Sequence, residues 1–272
     1  QGNGKFSEEG LLRGAALDEN GKALSGMGIT GGDFDGDGAV DLFRTNFSDE
    51  RVTLYRNRGD GDFDEATLQA GLGHATRYVG WGCGFLDFDN DGIADLFQVN
   101  GHVFPAVDRL GIDIRYRQPA LLYKGTGSGQ FEDVSPRAGP AFAERKSSRG
   151  AAFGDIDNDG TVEILVNSQN AVPSLFKQTT RPPGNWVLVK VLREDGSDAI
   201  GARIAMSAGG RTQFQEIRSG GSYLSQNDLR AHFGLGNAER IERVEVHWPA
   251  GGIQVWKDLE VNRLHTLRKA GD

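Results

Sequence analysis

The sequence contains one cysteine, no long apolar run and no excess of basic residues. Cys83 has no second cysteine to pair with, so disulfides and thiolate metal sites are excluded, and a buried structural thiol is expected. No apolar stretch approaches the length of a transmembrane helix. The net charge is −8, and no basic stripe of the kind that binds nucleic acid is present.

The familiar signatures of catalysis are also missing. None of the five histidines lies at a metal-ligand spacing such as His-x-x-x-His. Ser222 and Ser225 lie near His232 in the sequence, but Ser222 lacks the Gly-x-Ser-x-Gly context of a nucleophile elbow. The sequence therefore nominates no catalytic residue, and it leaves an enzymatic activity open without favouring one.

Glycine is abundant, with 40 residues, and the aliphatic residues lie in short runs bounded by Gly, Asn and Asp. This composition is typical of many short strands joined by tight turns, so the chain is predicted to be all-β.

Three acidic loops stand out within this pattern. Each has carboxylates at positions 1, 3, 5 and 9 and a glycine at position 6. The carboxylates are Asp33, Asp35, Asp37 and Asp41 in the first loop, Asp87, Asp89, Asp91 and Asp95 in the second, and Asp155, Asp157, Asp159 and Glu163 in the third.

This spacing predicts three calcium sites. Carboxylates held this close repel one another by about 4 kcal/mol per pair at an effective dielectric of about 20, so a bound cation favours the arrangement. The position-6 glycine supplies the positive φ of a chain that coils around one point. The backbone carbonyl at position 7, from Ala39, Ile93 and Thr161, would complete an all-oxygen shell that suits Ca²⁺ better than Mg²⁺ or Zn²⁺.

Two other interpretations of the acidic loops fit the sequence less well. Solvated acidic turns without an ion are possible, but three copies in register argue against them. An EF-hand would need a glutamate at position 12 and flanking helices. Position 12 is Arg44, Gln98 and Val166, and strand-like sequence follows each loop.

The loops divide residues 1–184 into repeated units, which indicates β-propeller blades and predicts that they are part of a larger propeller. The predicted strands are residues 28–31, 40–44, 52–56 and 62–67 in the first unit, 82–86, 94–99, 120–124 and 130–134 in the second, and 150–153, 162–166, 173–177 and 186–192 in the third. Residues 4–9 resemble a fourth strand and predict the last strand of a preceding blade. Three blades and one strand cannot close a ring, so the chain is predicted to be either a fragment of a longer protein or a chain whose open blade edges are covered by other chains.

Residues 101–118 interrupt the second blade and form either a binding loop or a packing loop over the blade edge. From residue 185 to residue 272 the acidic loops stop and alternating segments follow, which predicts a second, small sandwich-like β-domain. In it, Val244, Val246 and Trp248 share one face of a strand, opposite Glu245 and His247.

The residues also resemble known families. The three loops, with Leu54-Tyr-Arg-Asn-Arg-Gly-Asp-Gly-Asp-Phe63 between the first two, resemble FG-GAP/VCBS repeats. The segments Gly201-Ala-Arg203, Ser219-Gly-Gly-Ser-Tyr-Leu-Ser-Gln226, His232-Phe-Gly-Leu-Gly236 and Trp248-Pro-Ala-Gly251 are similar to an ASPIC/UnbV domain. The resemblance implies a secreted, extracellular or periplasmic calcium-binding propeller without an established common activity. Glu163 departs from the usual Asp but still supplies a carboxylate.

Three functions are compatible with this sequence. The first is a calcium-stabilised scaffold that binds a protein or glycan partner, either alone or as a subunit of a larger assembly. The second is a lectin-like carbohydrate-binding module, with Trp81 or Tyr116 as the aromatic contact. The third is a sugar-active lyase or dehydratase with its site on the propeller axis.

Overall fold

The computed structural model describes residues 4–180 and 182–271, and this part of the chain is all-β with three short 3-10 helices. The first sheet contains β1 (Gly26–Gly32), β2 (Asp41–Asn46), β3 (Thr53–Asn57) and β4 (Phe63–Glu65). The second contains β5 (Gly80–Leu86), β6 (Asp95–Asn100), β7 (Leu121–Gly125) and β8 (Phe131–Asp133). The third contains β9 (Ser148–Gly154), β10 (Glu163–Ser168) and β11 (Ser174–Phe176). The helices are Pro105–Arg109, Ser135–Arg137 and Pro140–Ala143.

Each of these three sheets is an antiparallel meander in which consecutive strands are neighbours. The predicted blades are therefore present, each with its acidic loop joining the first strand to the second. In the described residues β1 packs against β5 and β5 against β9, and the three sheets do not close a ring.

Aromatic side chains fill the space between adjacent blades. Phe43 of β2 meets Phe85 of β5 with ring centroids 6.4 Å apart, and Phe97 of β6 meets Phe153 of β9 at 5.9 Å. Both Phe43 and Phe97 are fully buried. The second strand of one blade thus packs on the first strand of the next.

Glycines allow the first strands to approach one another closely. A Cβ at Gly28 would lie 1.9 Å from the carbonyl oxygen of Trp81, and one at Gly82 would lie 2.6 Å from the amide nitrogen of Ala151. Neither obstacle is a flexible side chain, so the strands themselves would have to separate.

Gly28→Ala is accordingly expected to destabilise the first two blades by about 3 kcal/mol, because the added methyl group overpacks a backbone contact. Chemical denaturation followed by tryptophan fluorescence measures the loss. Gly271→Ala is the matched control, since nothing lies within 4 Å of a Cβ there. Equal unfolding free energies for the two variants would contradict the close approach of β1 and β5.

Two predicted strands are wrong. Residues 4–9 form no strand; Phe6 is 96% exposed, and the first strand begins at Gly26. Residues 186–192 are a strand, but not the fourth strand of the third blade. They form β12 (Asn185–Leu192), which pairs with strands of the C-terminal domain because Val187, Val189 and Val191 are buried in its core.

The C-terminal part of the chain, from residue 185, is a sandwich of two sheets around one apolar core, as predicted. Its strands are β12, β13 (Arg203–Ala208), β14 (Arg211–Glu216), β15 (Ala231–Gly236), β16 (Arg240–His247), β17 (Ile253–Glu260) and β18 (Arg263–Arg268). The order is β15-β12-β18 in one sheet and β14-β13-β16-β17 in the other. Val244, Val246 and Trp248 are buried and His247 is exposed, which confirms the predicted alternation.

Residues 219–226 of the sandwich lie against the first strands of the blades. The Ser222 carbonyl oxygen accepts a hydrogen bond from the Ile29 amide at 3.2 Å, and Ser222 Oγ accepts one from the Cys83 amide at 3.0 Å. Tyr223 packs edge-on against Trp81 with ring centroids 4.8 Å apart. The segment therefore covers the side of the blades on which β1 and β5 meet.

Cys83 is completely buried beneath this segment, and burial raises the pKa of its thiol well above the usual range. The expected structural thiol is confirmed. In the described residues no helix is long and apolar enough to cross a membrane.

Candidate metal centres

The three acidic loops are built by the same hydrogen bonds. In each, the position-1 carboxylate accepts two backbone amides of its own loop: Asp33 from Gly36 and Gly38, Asp87 from Asp91 and Gly92, and Asp155 from Asp159 and Gly160. The position-6 glycines have φ of 85°, 79° and 88°. These are left-handed values, so the glycine signal in the sequence has the predicted cause.

The position-9 carboxylate anchors each loop to the blade. Asp41 accepts the amides of Phe34 at 3.1 Å and Asn57 at 2.8 Å, and it is fully buried. Asp95 makes the equivalent bonds with Phe88 at 3.0 Å and Gly125 at 2.8 Å.

Glu163, the one departure from aspartate, keeps only the first of these contacts. It accepts the Ile156 amide at 2.8 Å. Its second oxygen lies 3.2 Å from Thr161 Oγ1 and 3.3 Å from Lys177 Nζ. The longer side chain thus still directs a carboxylate into the loop.

Carboxylate oxygens converge in all three loops. In each, one oxygen from each of three acidic residues lies within 4.8 Å of the others: Asp33, Asp35 and Asp37; Asp87, Asp89 and Asp95; and Asp155, Asp157 and Glu163. The structure thus brings together three of the four predicted carboxylates of each loop. The position-7 residues Ala39, Ile93 and Thr161 donate their amides to the position-5 carboxylates, and the assignment of their carbonyls as ligands stays a prediction.

The second loop shows that this donor set fits a cation. Asp89 Oδ1 is buried and has no hydrogen-bond partner, although a buried carboxylate oxygen normally has one. An all-carboxylate cluster offers only oxygen ligands, which suit a hard divalent ion such as Ca²⁺. Asp87, Asp89 and Asp95 would hold the ion there, and the ion would neutralise their mutual repulsion.

Burial shifts the acidity of these carboxyl groups. It raises the pKa of Asp41 to about 7 and that of Asp95 to about 8, against backbone hydrogen bonds that lower both. It likewise raises the pKa of Asp87 to about 7 and raises those of Asp33 and Asp155. The nearby carboxylates of each loop add to every one of these shifts.

Calcium affinity is therefore expected to fall as the pH is lowered through the range from about 8, the pKa of Asp95, to about 7, the pKa of Asp41. A raised pKa means that the folded, calcium-free protein retains protons that the ion must displace. The loss is roughly tenfold per pH unit for each displaced proton. Calorimetric titration in buffers of different ionisation enthalpy counts the protons released, and zero release with a pH-independent affinity would contradict the raised pKa values.

A basic side chain reaches each loop from the third strand of its blade, which the sequence analysis missed. Arg56 lies beside Asp35, Lys124 bridges Asp89 and Asp91, and Lys177 bridges Asp157, Asp159 and Glu163. The available signal was an aromatic-basic pair in every unit: Tyr55-Arg56, Tyr123-Lys124 and Phe176-Lys177. Insertions of different length between loop and strand hide its regularity.

The C-terminal sandwich contacts all three loops through their backbone carbonyls. Arg203 donates to the Gly38 carbonyl, Arg211 to that of Asp91 at 3.0 Å, and Arg230 to that of Asp155 at 2.6 Å. His232 Nε2 lies 3.1 Å from the Gly160 carbonyl, and because burial lowers the His232 pKa to about 4, the neutral ring donates this bond. We call Arg203, Arg211 and Arg230 the arginine latch.

A cleft of about 730 Å³ lies between the blades and the sandwich. It is lined on one side by the first and second acidic loops and on the other by β14 and residues 227–232. The partly buried rings of Phe85 and Phe214 and the amides of Gln213 and Gln215 face this space. Its size is typical of small-molecule sites, which often occur at domain interfaces.

Other residues singled out in the sequence are not joined into a site. Ser222 Oγ is bonded to the blades while His232 is bonded to the third loop, so the two form no nucleophile-base pair. Trp81 is only 9% exposed and lies between Tyr223 and the Arg149 guanidinium, so it is not a free sugar platform. Residues 101–118 carry the exposed side chains of Phe104 and Leu110 around a 3-10 helix.

Comparison with known families defines the class of protein. FG-GAP-like repeats match residues 33–97 and 110–166, and an ASPIC and UnbV domain matches residues 193–272. The chain therefore contains FG-GAP-like repeats followed by an ASPIC and UnbV domain.

The most similar curated relatives include cartilage acidic protein 1 of three vertebrates. The human protein is 25% identical over 280 residues, covering 85% of this chain and 42% of the relative. The Xenopus tropicalis protein is 26% identical over 281 residues and the Mus musculus protein 27% over 280, each covering 85% of this chain and 43% of the relative. The chain thus spans less than half the length of these relatives.

Proposed function

We propose that this chain is an extracellular, calcium-stabilised propeller scaffold that binds a protein partner through the face of its third blade. The proposal rests on a cross-strand pair of apolar side chains that is buried in the first two blades and exposed in the third. The pairs are Phe43 with Leu54, Phe97 with Leu122, and Leu165 with Leu175. The sequence predicted assembly through the open edges of the blades. The proposed interface also includes the exposed face of the third sheet.

The burial of these pairs follows from what covers them. Phe43 and Leu54 are fully buried, while Leu165 and Leu175 are 50% and 54% exposed. In the first two blades the next blade covers the pair, with Phe85 and Phe153 supplied by its first strand. The uncovered pair of the third blade therefore suits a partner β-sheet that presents a large apolar side chain.

Sedimentation velocity of the chain in calcium, from low micromolar to a few hundred micromolar, tests this proposal with the chain itself as the probe. The first blade of a second copy offers such a sheet, because Ile29 of β1 is 48% exposed. Cys83 of β5 and Ala151 of β9, which occupy the equivalent strand positions, are fully buried. Reversible association is expected for the native chain and not for Leu165→Glu/Leu175→Glu. Leu264→Glu, at an exposed leucine of the sandwich, is the control; a native chain that is monomeric throughout would contradict the proposal.

The proposed role of calcium is structural. The three loops tie the first strand of each blade to the second, and an ion that binds the folded state alone stabilises it. Extracellular calcium is millimolar, so even weak sites would be filled, and a signalling role is not favoured. The similarity to cartilage acidic protein 1 supports the extracellular assignment; a periplasmic location rests on the sequence resemblance alone.

A second candidate function is glycan binding in the interdomain cleft. The observation that favours it is the combination of partly buried Phe85 and Phe214 with the side-chain amides of Gln213 and Gln215 around about 730 Å³. A glycan array in calcium, repeated with Phe214→Ala, tests it. Binding that the substitution abolishes supports a lectin-like role, and an array without hits removes this candidate while leaving the scaffold proposal intact.

A further inference from the structure

The basic residue beside each acidic loop is placed by the fold, at the same point of every blade. Arg56 lies on β3, Lys124 on β7, and Lys177 directly after β11. Each follows the residue that pairs with position 10 of its loop: Tyr55 with Leu42, Tyr123 with Leu96, and Phe176 with Ile164. A threefold repetition in register argues for a common role.

Each basic side chain contacts the same two loop positions. Arg56 Nε lies 2.5 Å from Asp35 and its Nη2 3.7 Å from Asp37, at positions 3 and 5. Lys124 is paired with Asp89 and lies 2.9 Å from Asp91. The third loop repeats this with Lys177, Asp157 and, at 3.5 Å, Asp159.

The contacted carboxylates overlap with the converging clusters: position 3 belongs to the cluster of every loop, and position 5 to that of the first loop. At position 5 of every loop, Oδ1 accepts the backbone amide of position 7: Asp37 from Ala39, Asp91 from Ile93, and Asp159 from Thr161. Oδ2 accepts no amide of its loop, and it is the atom that Arg56, Lys124 and Lys177 contact. A divalent ion and the basic side chain would therefore use the same carboxylates.

We propose that Arg56, Lys124 and Lys177 are built-in counter-ions that compete with the divalent cation for positions 3 and 5. Without the ion, each holds its loop together by offsetting the repulsion among four carboxylates. With the ion, each must give up contact with these carboxylates, which lowers the affinity of the loop. The basic residues thus lower the calcium affinity of each loop and keep the loop folded when calcium is absent.

The second loop offers the sharpest test of this inference, which rests on the proposed calcium binding. The Lys124 ammonium also lies 5.6 Å from the ring centroid of Phe88, so its position is fixed by more than the carboxylates. Lys124→Gln removes the charge and keeps a polar side chain of similar reach. Lys124→Arg keeps the charge, as Arg56 does in the first loop.

The measurements are calcium titration calorimetry and melting curves in calcium and in chelator, made on the whole chain. For Lys124→Gln, one of the sites is expected to bind calcium about tenfold more tightly, because a nearby positive charge is gone. Its melting temperature is expected to fall in chelator and to match the native value in saturating calcium. Lys177→Gln, at a more exposed loop, should behave alike, while Lys124→Arg and the distant control Lys257→Gln should retain native affinities.

The possible results separate this inference from the proposed function. Weaker calcium binding by Lys124→Gln would show that the ammonium supports the ligands, and unchanged affinity would show that it does not compete; either result overturns the inference. If the native chain itself binds no calcium, the proposed calcium-stabilised scaffold fails and the inference fails with it.

Discussion

Removing calcium is expected to lower the melting temperature of the chain by about 20 °C. An ion that binds only the folded state at a hundred times its dissociation constant contributes about 2.7 kcal/mol, so three such loops contribute about 8 kcal/mol. In domains of about this size, 1 kcal/mol shifts the melting temperature by about 2–4 °C. Differential scanning calorimetry in millimolar calcium and in excess chelator measures the shift.

Single substitutions in the loops measure how much each site contributes to this shift in melting temperature. Asp91→Ala is expected to lower the melting temperature in calcium and to flatten its calcium dependence, because it removes a carboxylate of the second loop. Asp37→Ala should do the same at the first loop. Asp113→Ala, which removes an exposed carboxylate outside the loops, is the matched control.

This prediction would fail if the native chain gave equal melting curves with and without calcium. In that case the arginine and lysine contacts to the loops would already provide the stabilisation that we assign to the ion. A loss for Asp91→Ala that is the same in calcium and in chelator would also count against the ion, because the missing hydrogen bond to Ile93 would then explain it.

Much of the blade architecture could be predicted because its signals are local. The glycine at position 6 and the flanking strand-like runs define a hairpin, and these runs predicted second strands that begin at residues 40, 94 and 162, one residue before the observed starts. Asp41, Asp95 and Glu163 are indeed the first residues of β2, β6 and β10. The sequence therefore indicated the start of the second strand of every blade.

Other features depend on contacts that no local pattern shows. Residues 4–9 look like a fourth strand, but a strand also needs a neighbour to pair with, and Phe6 has no core to enter. Residues 186–192 follow the third blade in the sequence, yet their apolar face fits the sandwich core better than a blade edge. The repeated pattern gave the right strand and the wrong sheet.

The arginine latch could not be predicted for the same reason. Arg203, Arg211 and Arg230 lie on or beside different strands of the sandwich and have no common spacing in the sequence. They become equivalent only when the sandwich is docked, because each then reaches a backbone carbonyl of a different acidic loop. Backbone acceptors leave no trace in the side-chain pattern of the loops.

Breaking the arginine latch is expected to uncouple the sandwich from the blades. In the triple variant Arg203→Gln/Arg211→Gln/Arg230→Gln, each loop loses a charged hydrogen bond to the sandwich. At about 1.5–3 kcal/mol each, these bonds together stabilise the docked arrangement by roughly 6 kcal/mol. Calorimetry in calcium should show two transitions in place of one, and small-angle scattering should show a larger radius of gyration.

The matched control is Arg240→Gln/Arg243→Gln/Arg263→Gln, which removes the same charge from exposed positions of the sandwich. Exposed ion pairs such as Arg243 with Glu245 contribute little, so this variant should keep one transition and the native radius. A single native-like transition in the latch variant would contradict the coupling and would assign the docking to the remaining contacts, such as those of residues 219–226 and the hydrogen bond from the Gly236 amide to the Asn90 carbonyl.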